Sequence, residues 1–472
     1  MTRSRSDGQP SSKLPSLSFL VGGVFVVVVL AVFGSCHKER VCSEGLSKCP
    51  LSCADLASDP QNCGACGATC GVGQLCQEGR CRSCPRNVCT YDIVAACFNT
   101  GQVVGIYAGE DLVGPRSPVG DHPQALGTLY DVLLVADGTQ QRLRQAKLAD
   151  LSLLPGFDEL GSSPNHIWAE DPYVYVVNSG FGQGGNTLQI LQRKASPAEG
   201  SVLDGGIRRF PDGGLFPDGL QLATVGQLFL GTSTSPQAIV KVGDDLFIPL
   251  WLSGQVAQVN VADPRAPVVT RMFDLSNLDL RPFGRATFPR PGGAAWAWGK
   301  IYVALSNLDA DYSPGGPGML ARIDPARGSV DAIYLGADVC LNAFWVVASE
   351  EALYVSCSGK ATYTFPSYEL LAVEKSGVVV LNQREERISA WNVACGPGAV
   401  GCVPPSVQRF AVFNHRLYLG DQIGGRVLVV ESDGGNLVER RGYNPMDGGP
   451  PIPACPRDPG LPSLVIDMIA VP

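Results

Sequence analysis

The chain has 472 residues, 56 of them glycine and 36 proline, with 17% charged residues and a formal net charge of −8. That length can bury a large core, and it accommodates one big domain beside a small one. The acidic balance, with no basic cluster beyond the N-terminus, argues against nucleic acid as a partner. Abundant glycine and proline with few amphipathic helical runs point to many short strands joined by turns.

Residues 1–18 carry Arg3, Arg5 and Lys13, and residues 19–33 are apolar apart from two glycines. A basic start, an apolar run and small residues before an abrupt end predict an export signal. The segment Val32-Phe33-Gly34-Ser35-Cys36 resembles a bacterial lipobox, although Phe33 stands where leucine or valine is usual. The resemblance implies cleavage before Cys36 and lipidation of that cysteine, which makes the membrane a partner and places the chain in the cell envelope of a Gram-negative bacterium, at its outer membrane or surface. An uncleaved anchor over Leu14–Phe33 and ordinary secretion are the other readings, and all three export the rest of the chain. The predicted divisions are a signal at 1–35, an anchor linker at 36–41, a cysteine module at 42–89 and a large repeat domain at 90–472.

Twelve of the 17 cysteines lie between Cys36 and Cys97. Such density in an exported segment predicts disulfides, which replace a core too small to form. The module holds Cys42, Cys49, Cys53, Cys63, Cys66, Cys70, Cys76 and Cys81, followed by Cys84 and Cys89. Cys63-x-x-Cys66 and Cys81-x-x-Cys84 also have zinc-ligand spacing, but an oxidising space favours disulfides. The run Asn62-Cys63-Gly64-Ala65-Cys66-Gly67, closed by Cys76-Gln77-Glu78-Gly79-Arg80-Cys81, resembles the secreted plant stigma-specific cysteine-rich proteins. Sequence leaves the connectivity open.

From Ile93 onward a short apolar run recurs, as in Leu133-Leu134-Val135-Ala136-Asp137, Val174-Tyr175-Val176-Val177-Asn178, Ile301-Tyr302-Val303-Ala304-Leu305 and Leu417-Tyr418-Leu419-Gly420-Asp421. Related runs fall at 93–97, 246–250 and 353–357. The spacing is about 55 residues, and each unit reads as four strands, so the pattern predicts an all-β, seven-bladed β-propeller. A sandwich array is the alternative. Residues 464–470 look like an inner strand with nothing after it, and 91–98 like a second strand with no inner strand before it. Together they predict a Velcro closure that removes open edges. The strand grammar resembles the YVTN/YncE/NHL-like β-propellers of bacterial surface proteins, with Tyr302-Val303-Ala304 and Gly318–Asp324 the passage most alike. The third unit carries an insert with Phe210-Pro211-Asp212-Gly213 and Phe216-Pro217-Asp218-Gly219 turns.

Aligning the second strands pairs Cys340 with Cys357 and Cys97 with Cys455, the latter at the closure. Cys395 with Cys402, and Cys84 with Cys89, would each close a small loop.

Enzyme signatures are scarce: the chain lacks His-Glu-x-x-His, Gly-x-Ser-x-Gly and a Walker loop. Gly180–Gly185 matches Gly-x-Gly-x-x-Gly, but Thr187–Leu191 reads as a strand where a phosphate-binding helix would be needed. Asp137, Asn178 and Asp421 share a column at the end of the second strand. Some gluconolactonase-type propellers hold a divalent metal with such residues, but Leu250, Leu305, Cys97 and Cys357 share the column, so it reads as turn chemistry. Asp-Gly-Gly turns at 204–206, 212–214, 433–435 and 447–449 are turn signals too. His122 and His166, near the starts of blades 2 and 3, read as rim residues that could face the channel. Trp251, Trp296, Trp298 and Trp345 read as packing, with Trp251 the best candidate for exposure. No cofactor is called for. The expected function is binding or scaffolding of a protein or polysaccharide partner, and the alternative is a metal-dependent hydrolase or lactonase.

Overall fold

The computed structural model describes residues 47–49, 53–54, 56, 62–70, 74–77, 79–83, 91–180, 184–194, 219–363, 370–394, 406–422, 424–433, 436–442, 451–455 and 464–471. The chain divides between Val41 and Cys42 into two compact units, and the described residues belong to the second. The apolar N-terminal run, Cys36, Cys42, the Cys84–Cys89 and Cys395–Cys402 pairs and the Phe-Pro-Asp-Gly turns, apart from Gly219, lie outside them. Among the described residues all regular structure is strand, and no helix is long and apolar enough to cross a membrane.

Seven four-stranded antiparallel sheets form the blades of a propeller. The second strands are Ile93–Cys97, Val132–Asp137, Tyr173–Asn178, Asp245–Leu250, Lys300–Leu305, Ala352–Cys357 and Arg416–Asp421, in blades 1 to 7. They are nearly wholly buried because each blade packs on both faces, so their sequences are continuous apolar runs rather than alternating ones. Alternation survives in how the side chains are shared. In blade 1, Ile93, Ala95 and Cys97 pack towards blade 7, while Val94 and Ala96 pack towards blade 2. In blade 5, Ile301, Val303 and Leu305 face blade 4, while Tyr302 and Ala304 face blade 6. The core is therefore a ring of seven inter-blade seams.

Val465–Ala470 is the inner strand of blade 1, antiparallel to Ile93–Cys97, with Val465 opposite Cys97 and Ala470 opposite Ile93. The two ends of the domain thus share one blade. Cys97 is bonded to Cys455 with Cα atoms 5.5 Å apart, across 358 residues of sequence. Cys340 and Cys357 are bonded within blade 6, with Cα atoms 5.3 Å apart.

Two seams carry a buried tyrosine tied to a turn of the next blade. Tyr302 of blade 5 donates to Glu385 Oε1 of blade 6 at 2.8 Å, and Arg322 Nη1 donates to Glu385 Oε2 at 2.6 Å. Tyr418 of blade 7 donates to Asp111 Oδ1 of blade 1 at 3.2 Å and accepts from the Gly109 N–H at 3.1 Å. Burial pushes the Tyr418 phenol up to about 12, so it stays a donor at neutral pH.

In the cysteine module Cys49 is bonded to Cys66, Cys63 to Cys76 and Cys70 to Cys81. Gln74–Gln77 and Arg80–Ser83 form a hairpin in which Cys76 lies opposite Cys81.

Candidate functional site

The second strands end on the same face of the propeller at which the inner strands begin: Asp137 pairs with Pro123, Asn178 with Pro164 and Asp421 with Val407. Near that face, the inner strands of six blades carry a register shift. The shifts lie between Val465 and Asp467, Pro123 and Ala125, Pro164 and His166, Pro291 and Ala294, Ala343 and Trp345, and Val407 and Phe410. Extra residues at such bulges re-aim the side chains around them.

The consequence is a cluster to which all seven blades contribute. Arg409 of blade 7 lies 3.1 Å from Asp467 of blade 1, donates to the Asn165 carbonyl of blade 3 at 2.7 Å, and stacks over Trp345 of blade 6 at 4.3 Å. Asp467 Oδ2 accepts from the Leu126 N–H of blade 2 at 2.8 Å. His166 of blade 3 lies 5.5 Å from Trp345, ring to ring, and its Nδ1 accepts from the Ile239 N–H at the entry to blade 4, at 3.2 Å. Blade 5 offers Gly293, where a Cβ would meet the Trp345 ring at 2.5 Å, so only glycine leaves room for that indole.

Electrostatics fix the charge states. Arg409 and Asp467 are buried together, and a buried charge persists only when paired. Burial raises the Asp467 carboxyl, and the Arg409 charge partly offsets that rise. His166 keeps a partly accessible edge, yet the surrounding walls desolvate it; burial, and then the Arg409 charge, lower its pKa to about 3. A neutral ring whose Nδ1 accepts from a backbone N–H carries its proton on Nε2. The cluster is thus a neutral histidine beside a compensated ion pair.

The sequence-predicted residues fall elsewhere. Asp137 is buried and accepts backbone N–H groups of Asp121 (2.7 Å), Thr139 (3.0 Å) and Gln140 (2.9 Å), so it caps turns. Asn178 donates to Thr187 Oγ1 at 3.2 Å, and Asp421 is buried at the matching position of blade 7. No group of three His, Cys, Asp or Glu among the described residues includes Asp137 or Asp421. His122 is a rim residue, 2.5 Å from Thr139 Oγ1 and packed on Phe98. The rim reading of His166 is corrected by its place in the cross-channel cluster, where it is desolvated against Trp345. Trp251 is half-buried because its ring packs edge-on against Phe344; Trp296 is the exposed tryptophan. The strand after Gly180–Gly185 is real, running Thr187–Arg193.

Sequence reading missed a second feature of the same face. The loops 275–290 and 306–318 are zipped together by the Phe283 N–H to the Gly315 carbonyl (2.6 Å) and by the Phe288–Leu308 bridge. They present Phe283, Phe288 and Tyr312 at 56%, 43% and 57% exposure. The Arg290 guanidinium sits 5.2 Å from the rings of both Phe288 and Tyr312. Arg285 reaches Asp309 and Asp311 at 3.5 and 3.4 Å. Phe283, Phe288 and Tyr312, with Arg281, Arg285 and Arg290, were the available signal; their separation along the chain hid it.

No protein-family model matches the chain. No curated protein matches it either. Among solved structures, a functionally unknown protein from Desulfotomaculum acetoxidans is 12% identical, with the match covering 76% of this chain and 98% of that one at a TM-score of 0.47. AztD from Citrobacter koseri is 14% identical over 80% of this chain and 97% of its own, with a TM-score of 0.46. Virginiamycin B lyase from Staphylococcus aureus is 8% identical over 69% and 87%, with a TM-score of 0.41. At such identities and scores, none of these names speaks to what this chain binds.

Proposed function

We propose that this chain is a cell-envelope binding module, held at the membrane through a lipid on Cys36, whose propeller engages a polysaccharide. One observation carries the reading: three exposed aromatic rings are held by zipped loops on one face. Exposed large aromatics cost solvation unless a partner covers them, and rigid rings flanked by arginine and carboxylate suit the apolar faces and hydroxyls of a sugar. Arg281, Arg285 and Arg290 are balanced by Asp279, Asp309 and Asp311 within the two loops, which favours a neutral partner. No observation favours the metal-dependent hydrolase: Asp137 is spent on backbone N–H groups.

Affinity electrophoresis through gels containing neutral polysaccharide extracted from Gram-negative envelopes tests the binding role. Retardation of the wild type is expected, weakened roughly two- to tenfold for each ring removed in Phe288→Ala and Tyr312→Ala, from the ~0.5–1.5 kcal/mol that such ring contacts contribute. Equal mobility of wild type and both variants would rule out this face. Labelling with radioactive palmitate tests the anchor separately, since Cys36→Ala should abolish incorporation.

A further inference from the structure

The exposed trio of rings does not end at its own two loops. Arg290, held against Phe288 and Tyr312, donates from Nη1 to the Leu252 carbonyl of blade 4 at 3.5 Å. A Cβ on Gly254 would meet Pro289 Cγ at 3.0 Å, so the turn after the second strand of blade 4 lies directly against the segment that carries Phe288. Trp251 stands in that turn. It is fixed by its own N–H to the Ser235 carbonyl (3.1 Å) and by the Leu252 N–H to the Thr234 carbonyl (3.0 Å). Its ring meets Phe344 of blade 6 edge-on, with centroids 6.0 Å apart.

Blade 5 lies between blades 4 and 6 in the ring, and its glycines let these rings meet. A Cβ on Gly292 would collide with the Phe344 carbonyl, as one on Gly293 would with the Trp345 ring. Phe344 is the extra residue of the bulge between Ala343 and Trp345. A bulge re-aims side chains, and here Phe344 and Trp345 join one cluster with Ala238 at the entry to blade 4 instead of pointing to opposite sides. His166 follows, 5.5 Å from Trp345. A track of rings therefore runs from Tyr312 and Phe288 through Trp251 and Phe344 to Trp345 and His166 at the cross-channel cluster.

Trp251, Phe344 and His166 are only partly buried. The Trp251 indole N–H and the His166 Nε2–H have no protein acceptor among the described residues, whereas the Trp298 indole N–H is spent on the Glu350 carbonyl at 3.2 Å. Both free donors are uncharged, and the one buried cation of the track, Arg409, is compensated by Asp467. Rings beside neutral donors call for a partner that offers apolar faces and acceptor oxygens together, as a sugar does. We infer that this end of the track is a second subsite for the polysaccharide proposed above. One sugar unit lies on Phe288 and Tyr312, and a further unit of the same chain lies on Trp251 and Phe344. The second unit gives hydroxyl oxygens to the N–H groups of Trp251 and His166. The inference rests on the polysaccharide reading and adds the size of the ligand, an oligosaccharide long enough to span both stacks.

The probe is a size-fractionated ladder of oligosaccharides released by mild acid from the neutral envelope polysaccharide. It is titrated into the full chain in detergent and followed by calorimetry and tryptophan fluorescence. Affinity should climb with length until both stacks are spanned, and then level off. Trp251→Ala and Phe344→Ala should each weaken the long oligosaccharides roughly two- to tenfold and remove most of the gain with length. Trp251→Phe keeps a ring to stack and to pack on Phe344, so it should recover part of that loss even if the alanine variant folds poorly. The change in emission on binding should fall in both Trp251 variants. Where the wild type binds and Phe288→Ala weakens it, but Trp251→Ala, Trp251→Phe and Phe344→Ala bind every length as the wild type does, the second subsite is overturned and the first stands. Affinity that does not depend on length overturns the second subsite as well. A wild type that binds no member of the ladder overturns both readings.

Discussion

Among the described residues of the cysteine module three disulfides span 17, 13 and 11 residues, whereas the bond at the propeller closure spans 358. The short loops join segments with few apolar side chains to bury, so the cross-links stand in for a core. The long one joins Cys97 and Cys455 where both are already packed with Ile93, Tyr418, Val427, Val465 and Met468. There the bond reinforces strand pairing that hydrogen bonds and burial already favour. The same chemistry thus makes one region and only secures the other.

The comparison can be broken at several points. The largest effect is expected from reduction: residues 42–89 should become protease-sensitive by orders of magnitude, while the propeller keeps its β-sheet circular dichroism. Simultaneous loss of both would mean that the propeller, too, depends on its cross-links. Next in size is Arg409→Ala, which leaves Asp467 buried without its cation and should cost about 3–5 kcal/mol in urea unfolding of the propeller. Arg409→Met with Asp467→Leu should recover most of that loss, because it removes both charges together. A smaller effect is expected from Cys97→Ser/Cys455→Ser, about 2–4 kcal/mol. Amide exchange should then accelerate first in Ile93–Cys97 and Val465–Ala470.

The last effect concerns pH and is absent at neutrality. His166 titrates at about 3 in the folded state against 6.5 when unperturbed. Between those values the unfolded chain binds the extra proton, so stability rises with pH across the window and is lost as pH falls through it. His166→Gln should flatten the acid limb of the stability curve by up to about 1.4 kcal/mol per pH unit. An unchanged slope would place the responsible proton elsewhere.

Much of the architecture was legible in the sequence. The second strands are apolar at nearly every position because both faces are buried, and such runs stand out wherever they occur. The shared first blade followed from an unpaired strand at each end. Charged and channel-facing residues were harder to place. Asp467 sits in a run, Leu464–Ala470, that reads as an ordinary inner strand, and Arg409 sits in another. The bulges between Val465 and Asp467 and between Val407 and Phe410 set the local register, and nothing in the local residue pattern marks them. The exposed trio Phe283, Phe288 and Tyr312 was hidden for a related reason, since its two loops are joined by hydrogen bonds between residues about 20–30 apart.

Sequence by itself determined the number of blades, the strand order within them and the shared closure blade, because burial on two faces writes itself into every second strand. Only the tertiary structure decided that Arg409, Asp467, His166 and Trp345 meet across the channel, and that Cys63 joins Cys76 and Cys70 joins Cys81. Those meetings depend on bulges and turns that change direction by one residue, a shift too small to leave a periodic trace but large enough to choose each side chain's neighbours.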